Sequence, residues 1–371
     1  MLSRRLKNLF KLILINCLIL FILGETICRA IPILRVKNFP KHLYRPDEKL
    51  GCVLVPNAKA QYSSRCYSIN IEINSLGLRD REFSLEKGPG VSRILVLGDS
   101  MTFGSCVDND QTYPKYLEKL LNMNAVDNQK YEVINAGVFA WGLNQEYNYL
   151  KSQGIRLNPD LIIVGVYTND VEDAYRAKVN SALPLSPRFP FKKFVAEYSY
   201  FYKFLRVYYD IALLKLGLRF PAAMFTSPAD ILNQNCPERL QLTFDQAKQE
   251  MLKIRDLARE NNARIIFAVL PGVPTVLAEL NSGQSAAVKK TRWFNQAFME
   301  LYYLKVHQEI LKRLRADQIP VIDPLPRFAQ VCQVHSWEYL YFWCDQHFTP
   351  EGNRLAAEVI YDFILTEGFI N

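Results

Sequence analysis

A short aliphatic run that ends at a glycine constrains the fold of this chain more than any other feature. Residues 94–97 read Ile-Leu-Val-Leu, and Gly98 then introduces Asp99 and Ser100. A strand buried on both faces of a parallel sheet has such a continuous branched run, whereas a half-exposed strand alternates. Because ligands bind at the carboxyl edge of open α/β sheets, we interpret Ser100 as a nucleophile held in a loop at that edge. The alternative is a turn or capping serine.

The same pattern recurs along the chain with helical segments between the strands. Aliphatic strands are predicted at 131–134, 161–166, 264–270 and 319–322. The apolar spacing predicts helices at 113–121, 144–153, 244–261, 289–316 and 350–365. This alternation predicts an α/β fold with a doubly wound parallel sheet, and 371 residues that are 49% hydrophobic suffice for a large core.

A serine nucleophile needs a base, a group that orients the base, and donors for an oxyanion. Of the four histidines, only His347 has a carboxylate, Asp345, at close spacing in a turn-rich loop. Two residues apart in an extended segment share one face, so Asp345 is expected to fix the imidazole tautomer. Asn169 follows the strand at 161–166 and offers a side-chain NH2 group, with helix capping as its alternative role.

These blocks resemble, in order, those of the SGNH hydrolases, also called the GDSL esterase/lipase superfamily. The matching residues are Gly98-Asp99-Ser100 with Thr102 and Gly104, Asn135-Ala136-Gly137, Asn169-Asp170, and Asp345-x-His347 with Thr349, Pro350 and Gly352. The resemblance implies a flavodoxin-like three-layer α/β/α fold with Ser100 as nucleophile, His347 as base and Asp345 as its partner. It also implies an oxyanion hole formed by Asn169 and backbone amides, those of Ser100 and of Ala140 or Gly137. Ala140 stands where the family has glycine.

The amino terminus predicts a membrane segment. Arg4, Arg5, Lys7 and Lys11 precede an apolar stretch at 12–24, and no small-x-small cleavage site follows promptly. We therefore expect an uncleaved single-pass anchor over residues 1–34, with a cleaved signal peptide as the alternative. The basic flank predicts a cytoplasmic amino terminus and an exported domain. Residues 1–49 carry a net +7 of the total +8, so the nearly neutral remainder disfavours nucleic acid as a partner.

Three regions are predicted after the anchor. Residues 35–90 form a tether and a small extended region, residues 91–371 form the SGNH-like domain, and an insertion at about 175–235 interrupts that domain. The insertion is dense in Phe and Tyr, which fits a lid, an amphipathic surface on the bilayer, or aromatic side chains packed on the core. Among the six cysteines beyond the anchor, Cys52 with Cys66 and Cys332 with Cys344 are the nearest candidates for disulfides, and buried free thiols are the alternative.

The sequence therefore predicts a serine esterase that acts on acyl esters, of which acetyl is the leading candidate, in cell-envelope carbohydrate or lipid. One alternative is an O-acyltransferase that moves an acyl group to a polysaccharide. Another is a catalytically inactive, membrane-anchored binding or assembly component. The sequence has no glycine-rich phosphate loop, dinucleotide fingerprint or metal-ligand spacing, so no cofactor or metal is expected.

Overall fold

The structure is a computed structural model that describes residues 4–31, 39–64, 66–125, 129–171, 195, 198–205, 209, 237–282 and 294–370. The chain forms two compact units, one of residues 1–38 with 183–222 and one of residues 39–182 with 223–371. Most of the predicted insertion at 175–235 lies outside the described residues. In the first unit, helix α1 (Arg4–Ala30) contains a stretch, Asn8–Ala30, of 23 residues with a mean hydropathy of 2.1. This stretch is long and apolar enough to span a membrane.

The amino-terminal part of the second unit consists of two small antiparallel sheets. Strand β1 (Tyr44–Asp47) pairs with β2 (Gly51–Leu54), and β3 (Lys59–Ser63) pairs with β4 (Ser68–Glu72). Their inward side chains belong to the same hydrophobic cluster as the main sheet. The segment predicted as a tether and extended region is thus, from Phe39 onward, an integral part of the second unit.

The main sheet of the second unit has five parallel strands. They are β5 (Val91–Gly98), β6 (Lys130–Gly137), β7 (Leu161–Val166), β8 (Arg264–Val269) and β9 (Val321–Ile322), in the order β6-β5-β7-β8-β9. The predicted α/β fold with a parallel sheet is confirmed. Leu95 and Leu97 of β5 pack into the hydrophobic cluster on one face, whereas Ile94 and Val96 pack into the cluster on the other. Burial on both faces explains why the run is continuous.

Helices cover both faces of this sheet. They are α2 (Ser100–Phe103), α3 (Tyr113–Met123), α4 (Leu143–Ser152), α5 (Pro237–Glu260), α6 (Val273–Ser282), α7 (Phe294–Ala316), α8 (Leu325–Val334) and α9 (Pro350–Thr366). The apolar residues of α4 and α5 and most of those of α7 join one cluster, and those of α3, α6, α8 and α9, with Leu304 of α7, join the other. Helices α6 and α8, which contain Pro274 and Pro326, were not predicted. Both prolines lie in the first helical turn, where the missing N–H costs nothing.

Candidate active site

Three glycines lie side by side at the carboxyl edge of the sheet. In the parallel register Gly98 is paired with Gly137 on one side and with Gly165 on the other. A methyl group on Gly98 or Gly165 would collide with the Thr102 hydroxyl, and one on Gly137 would collide with the backbone at Phe103. The three glycines therefore leave the space that Thr102 and Phe103 of the turn after β5 occupy. A larger side chain at position 98 would fill that space, which explains why the aliphatic run stops at Gly98.

Ser100 is the first residue of helix α2, which packs against these three glycines. The Asp99 carboxylate caps the helix by accepting from the Met101 N–H at 2.8 Å, and the Thr102 hydroxyl is hydrogen-bonded to the Tyr113 hydroxyl at 2.8 Å. Asp99, Thr102 and Tyr113 are buried, whereas Ser100 remains partly accessible. The turn thus fixes the backbone of Ser100 and leaves this residue partly accessible.

Two buried residues outside the turn hold it in place. The guanidinium of Arg79, which has no exposed surface, donates to the carbonyls of Phe103, Gly104 and Val107. Burial lowers the pKa of Arg79 to about 10, which still leaves it cationic at neutral pH. Asn135 donates from Nδ2 to the Thr102 carbonyl at 3.0 Å. Neither residue reaches Ser100 Oγ by a hydrogen bond of its own, so both support the turn.

His347 and Asp345 lie against Ser100 although the sequence separates them by almost 250 positions. His347 Nε2 is 2.8 Å from Ser100 Oγ, and His347 Nδ1 is hydrogen-bonded to Asp345 Oδ1. Partial burial raises the pKa of Asp345, but the hydrogen bonds from His347 and Tyr67 outweigh it and hold that pKa below its usual range. A hydroxyl, an imidazole and an ionised carboxylate are therefore in line, which is the arrangement of a serine nucleophile with an oriented base.

The loop that carries His347 is a tight turn and not the extended segment that the sequence interpretation assumed. Gln346 has a φ of 65°, and its N–H and that of Asp345 both donate to the Phe342 carbonyl. A bridge between Tyr341 and Phe348 closes the loop. The left-handed turn at Gln346 brings the side chains of Asp345 and His347 together. They are neighbours because of this turn, and not because they share one face of an extended segment.

Tyr67 and a disulfide support this loop from the amino-terminal segment, and sequence reasoning missed both. The Tyr67 hydroxyl donates to Asp345 Oδ2 at 2.9 Å, opposite the oxygen that meets His347. Cys66 and Cys344, the neighbours of Tyr67 and Asp345, form a disulfide with a Cα–Cα distance of 6.3 Å. The suggested pairings of Cys52 with Cys66 and of Cys332 with Cys344 were therefore wrong, and Cys52 and Cys332 are free. Sequence proximity misled because the fold brings together residues 278 positions apart.

The four residues predicted for an oxyanion hole differ in what they can offer. Within the described part of the chain, the N–H groups of Ser100 and Ala140 have no backbone or side-chain acceptor. Ala140 is exposed and has a φ of 65°, the left-handed region that glycine favours and that costs another residue about 1–2 kcal/mol. The Gly137 N–H instead donates to Asn135 Oδ1 at 2.9 Å, which argues against it as an oxyanion donor.

Asn169 follows β7 at the same sheet edge as Ser100, because Gly165 of β7 is paired with Gly98 of β5. It is partly exposed, and its Oδ1 is buried with no hydrogen-bond partner among the described residues. The backbone role foreseen as an alternative falls to its neighbour, since Asp170 Oδ2 accepts from the Tyr167 N–H at 2.7 Å. Up to Val171, where the described segment ends, no N–H group donates to the Asn169 amide oxygen.

One group among the described residues has the donor set of a metal site. The Cys106 thiol and the side chains of Asp345 and His347 lie within 4.8 Å of one another. Burial, with the Asp345 charge as a second cause, raises the pKa of Cys106, so this sulfur stays a thiol, whereas a metal needs the thiolate. The imidazole and the carboxylate are already hydrogen-bonded to each other and to Ser100 or Tyr67. The absence of a metal remains a prediction.

Glu146 of α4 is a buried carboxyl group near this turn. It has no exposed surface, and neither carboxyl oxygen has a hydrogen-bond partner among the described residues. Burial raises its pKa well above the usual range, and the charge of Asp99 adds to the rise. The rise favours the uncharged, protonated form of Glu146.

Comparisons with known proteins match the chain to solved structures only. No protein-family model matches it, and no curated protein matches its sequence. A lipolytic protein of the G-D-S-L family from Desulfitobacterium hafniense is 13% identical, with a TM-score of 0.38 over 73% of this chain and 99% of that one. An acetylxylan esterase from Geobacillus stearothermophilus is 12% identical, with a TM-score of 0.40 over 74% and 94%. The acetyl xylan esterase AlAXEase is 14% identical, with a TM-score of 0.41 over 73% and 98%. The first of these is described by the name of the G-D-S-L family, which the sequence blocks resemble.

Proposed function

We propose that this chain is a serine ester hydrolase of the SGNH type that works through a covalent acyl-serine intermediate. The observation that carries the proposal is the contact of 2.8 Å between His347 Nε2 and Ser100 Oγ, with the Asp345 carboxylate on the other ring nitrogen. This geometry requires the sheet edge, the turn at 98–104 and the loop at 341–348 to meet. A serine that only forms a turn, or a histidine that only packs in the core, would not be expected to make this contact.

In the proposed reaction, Ser100 Oγ attacks the ester carbonyl while its proton passes to His347 Nε2. The imidazolium is stabilised by Asp345, which is ionised at neutral pH because its pKa is lowered. The proton then passes to the leaving alkoxide as the C–O bond breaks, and the acyl group remains on Ser100. A water molecule activated by His347 attacks the acyl-serine, releases the acid and restores the hydroxyl.

The developing oxyanion needs donors on one side of Ser100. The Ser100 and Ala140 amides are candidates because neither is used by another described residue, and the Asn169 NH2 group lies at the same sheet edge. We assign the oxyanion hole to these three residues and leave out Gly137, whose amide is already engaged. Donors fixed in this way stabilise the transition state more than the substrate, since the charge develops only there.

Hydrolysis is favoured over transfer to another acceptor by the accessibility of the base. The side chain of His347 is 22% exposed and that of Asp345 is 30% exposed. Water can therefore reach the ring after the leaving alcohol has departed. An O-acyltransferase has to keep water away from the same nitrogen, so the open base makes the esterase the better proposal.

A row of aromatic rings supports esters of carbohydrate or lipid as the substrate class. Phe139, next to Ala140, stacks on Phe39 at 5.7 Å, and the row continues through Tyr62 and Tyr67 to Phe342 in the His347 loop. Phe139 is 39% exposed. Aromatic faces bind the apolar faces of pyranose rings as well as acyl chains, and a small acyl group such as acetyl suits a serine so close to the sheet.

Helix α1 is proposed as the anchor of an exported enzyme. Basic residues precede its apolar stretch, which favours a cytoplasmic amino terminus. The Cys66–Cys344 disulfide supports the exported location of the second unit, because disulfides persist in oxidising compartments and are rare in the cytosol.

Covalent labelling with a fluorophosphonate tests the nucleophile. The detergent-solubilised full chain is expected to be labelled, whereas Ser100→Ala and His347→Ala are not. Ser152→Ala and His335→Ala are the matched controls, because both side chains are exposed and lie outside the site. Labelling that survives Ser100→Ala would refute the proposal, and a native protein that takes no label would favour an inactive binding component.

Hydrolysis of p-nitrophenyl acetate then tests the acceptor. The native chain is expected to release acetate into water at a rate that an added free oligosaccharide leaves unchanged. Acetate recovered on the oligosaccharide instead of in solution would assign the protein to the acyltransferases.

A further inference from the structure

Glu25, near the end of helix α1, is the only acidic residue of the stretch Asn8–Ala30. Its carboxylate is hydrogen-bonded by residues far along the chain. Glu25 accepts hydrogen bonds from Ser199 Oγ at 2.7 Å, from the Phe201 N–H at 3.0 Å and from the Tyr200 N–H at 3.2 Å. Arg29, one turn further on, pairs with Glu25 at 2.8 Å. Residues 200–205 are helical, so Glu25 caps this helical turn from outside.

Apolar contacts fasten the same segment to α1. Gly24 allows the approach, because a methyl group there would collide with the Phe201 ring. Phe21 packs edge-on against Phe201 at 5.8 Å. Arg29 donates to the Tyr198 carbonyl at 3.0 Å, and its guanidinium lies 5.2 Å from the centre of the Tyr200 ring. We call residues 198–205 the docked segment.

The position of Glu25 along α1 sets the depth of the docked segment. The stretch Asn8–Ala30 rises about 34 Å at 1.5 Å per residue, which matches a hydrocarbon core of about 30 Å. Glu25 lies five residues before its end, about 7.5 Å along the axis. A carboxylate at that depth is costly unless it is paired, and its partners in the docked segment must lie at the same depth.

The side chains of the docked segment suit the boundary between lipid and water. Its residues read Tyr-Ser-Tyr-Phe-Tyr-Lys-Phe-Leu, and Tyr198 and Leu205 are 59% and 47% exposed. Tyrosine is enriched at membrane interfaces because its ring is apolar and its hydroxyl is polar, and lysine extends its amine towards the headgroups. A lid exposed only to water would not need so many aromatic side chains beside a membrane helix.

We propose that the docked segment lies at the boundary between the hydrocarbon core and the headgroup layer as a second membrane contact, held there by Glu25 and Arg29. The proposal rests on the proposed spanning role of α1. Its partner is the phospholipid interface, and its consequence is that residues 198–205 are held at the membrane and do not move as a lid.

Depth-dependent fluorescence quenching of the full chain in phosphatidylcholine vesicles tests the proposal. An encoded fluorescent amino acid replaces Tyr198, and the reference position is Tyr339, which is 41% exposed and belongs to the other unit. At 198 we expect quenching by a headgroup-labelled lipid and protection from iodide. At 339 we expect the reverse.

A steric variant identifies the cause. Gly24→Leu keeps α1 apolar but blocks Phe201, so lipid quenching at 198 should be lost and iodide access gained. Cys17→Leu adds similar bulk at an exposed position of α1 and should change neither. Iodide quenching at 198 in the native chain would overturn the proposal. Protection from both quenchers, which a lid packed on protein would produce, would overturn it too.

Carbonate extraction separates this inference from the anchor on which it rests. Protein that carbonate removes from the vesicles would refute the spanning role of α1. Protein that resists extraction and shows no lipid quenching at 198 would leave the anchor in place and refute only the second contact.

Discussion

Removal of the Cys66–Cys344 disulfide is expected to destabilise the second unit strongly. The bond joins positions 278 apart, and the chain-entropy relation for a closed loop of that length gives about 5–6 kcal/mol at 25 °C. For a unit of this size, each kcal/mol lowers the melting temperature by about 2 °C. We therefore expect Cys66→Ser combined with Cys344→Ser to lower it by about 10 °C.

Thermal unfolding of the full chain, followed with and without a phosphine reductant, measures this effect. The native protein should lose the same amount in reductant, whereas the double variant should not change further. Cys52→Ser combined with Cys332→Ser is the matched control, because both thiols are free. If the melting temperature of the double variant fell by less than about 2 °C, the denatured chain would gain little conformational freedom when the disulfide is removed. The entropy argument would then fail. An equal loss in the reduced control and in the reduced double variant would show that the reductant acts elsewhere.

Three further substitutions test the site. Tyr67→Phe removes a hydrogen bond to a carboxylate worth about 1.5–3 kcal/mol, so the rate of fluorophosphonate labelling should fall about tenfold, whereas Tyr44→Phe, which loses an unpartnered hydroxyl, should not change it. The lowered pKa of Asp345 contributes stability that is present above its unfolded pKa of about 4 and is lost as the pH falls below it, so the acid loss of melting temperature should be smaller in Tyr67→Phe than in the native chain. Glu146 has a raised pKa, so the destabilisation that it causes in the native fold grows as the pH rises above about 4. The melting temperature of Glu146→Gln should therefore increase relative to that of the native chain between about pH 4 and pH 8. A difference that stays constant over this range would contradict the burial of Glu146 as the uncharged acid. Asn169→Ala should lower turnover of p-nitrophenyl acetate by about 100-fold to 1,000-fold, and an unchanged rate would remove Asn169 from the oxyanion hole.

The sequence was sufficient for the sheet and for the pair at its edge because both leave local patterns. The run at 161–166 coincides with β7, since burial on both faces allows only aliphatic side chains there. His347 stood out because it alone of the four histidines had a close carboxylate in a turn-rich loop. Whether these residues perform the proposed chemistry stays a prediction that labelling has to test.

The support of the site escaped sequence reasoning because it depends on long-range contacts. Nothing near Tyr67 indicates that its hydroxyl meets Asp345, and a buried Arg79 resembles any surface arginine until the fold places carbonyls around it. The turn at Gln346 was missed because a positive φ carries no signature when the residue is not glycine or asparagine. Short paired strands such as β1 and β2 have too few residues to show a period.

The long reach of the disulfide has a consequence for biosynthesis. During translation Cys66 emerges long before Cys344; Cys52 precedes it, and Cys106, Cys236 and Cys332 emerge in the interval as competing thiols. Early oxidation would trap the nascent polypeptide in a wrong linkage, so correct maturation depends on delayed oxidation or on an isomerase that reshuffles the bond. The same order of synthesis means that Ser100 is made 247 residues before His347, so the proposed nucleophile lacks its proposed base until the last segment has folded back.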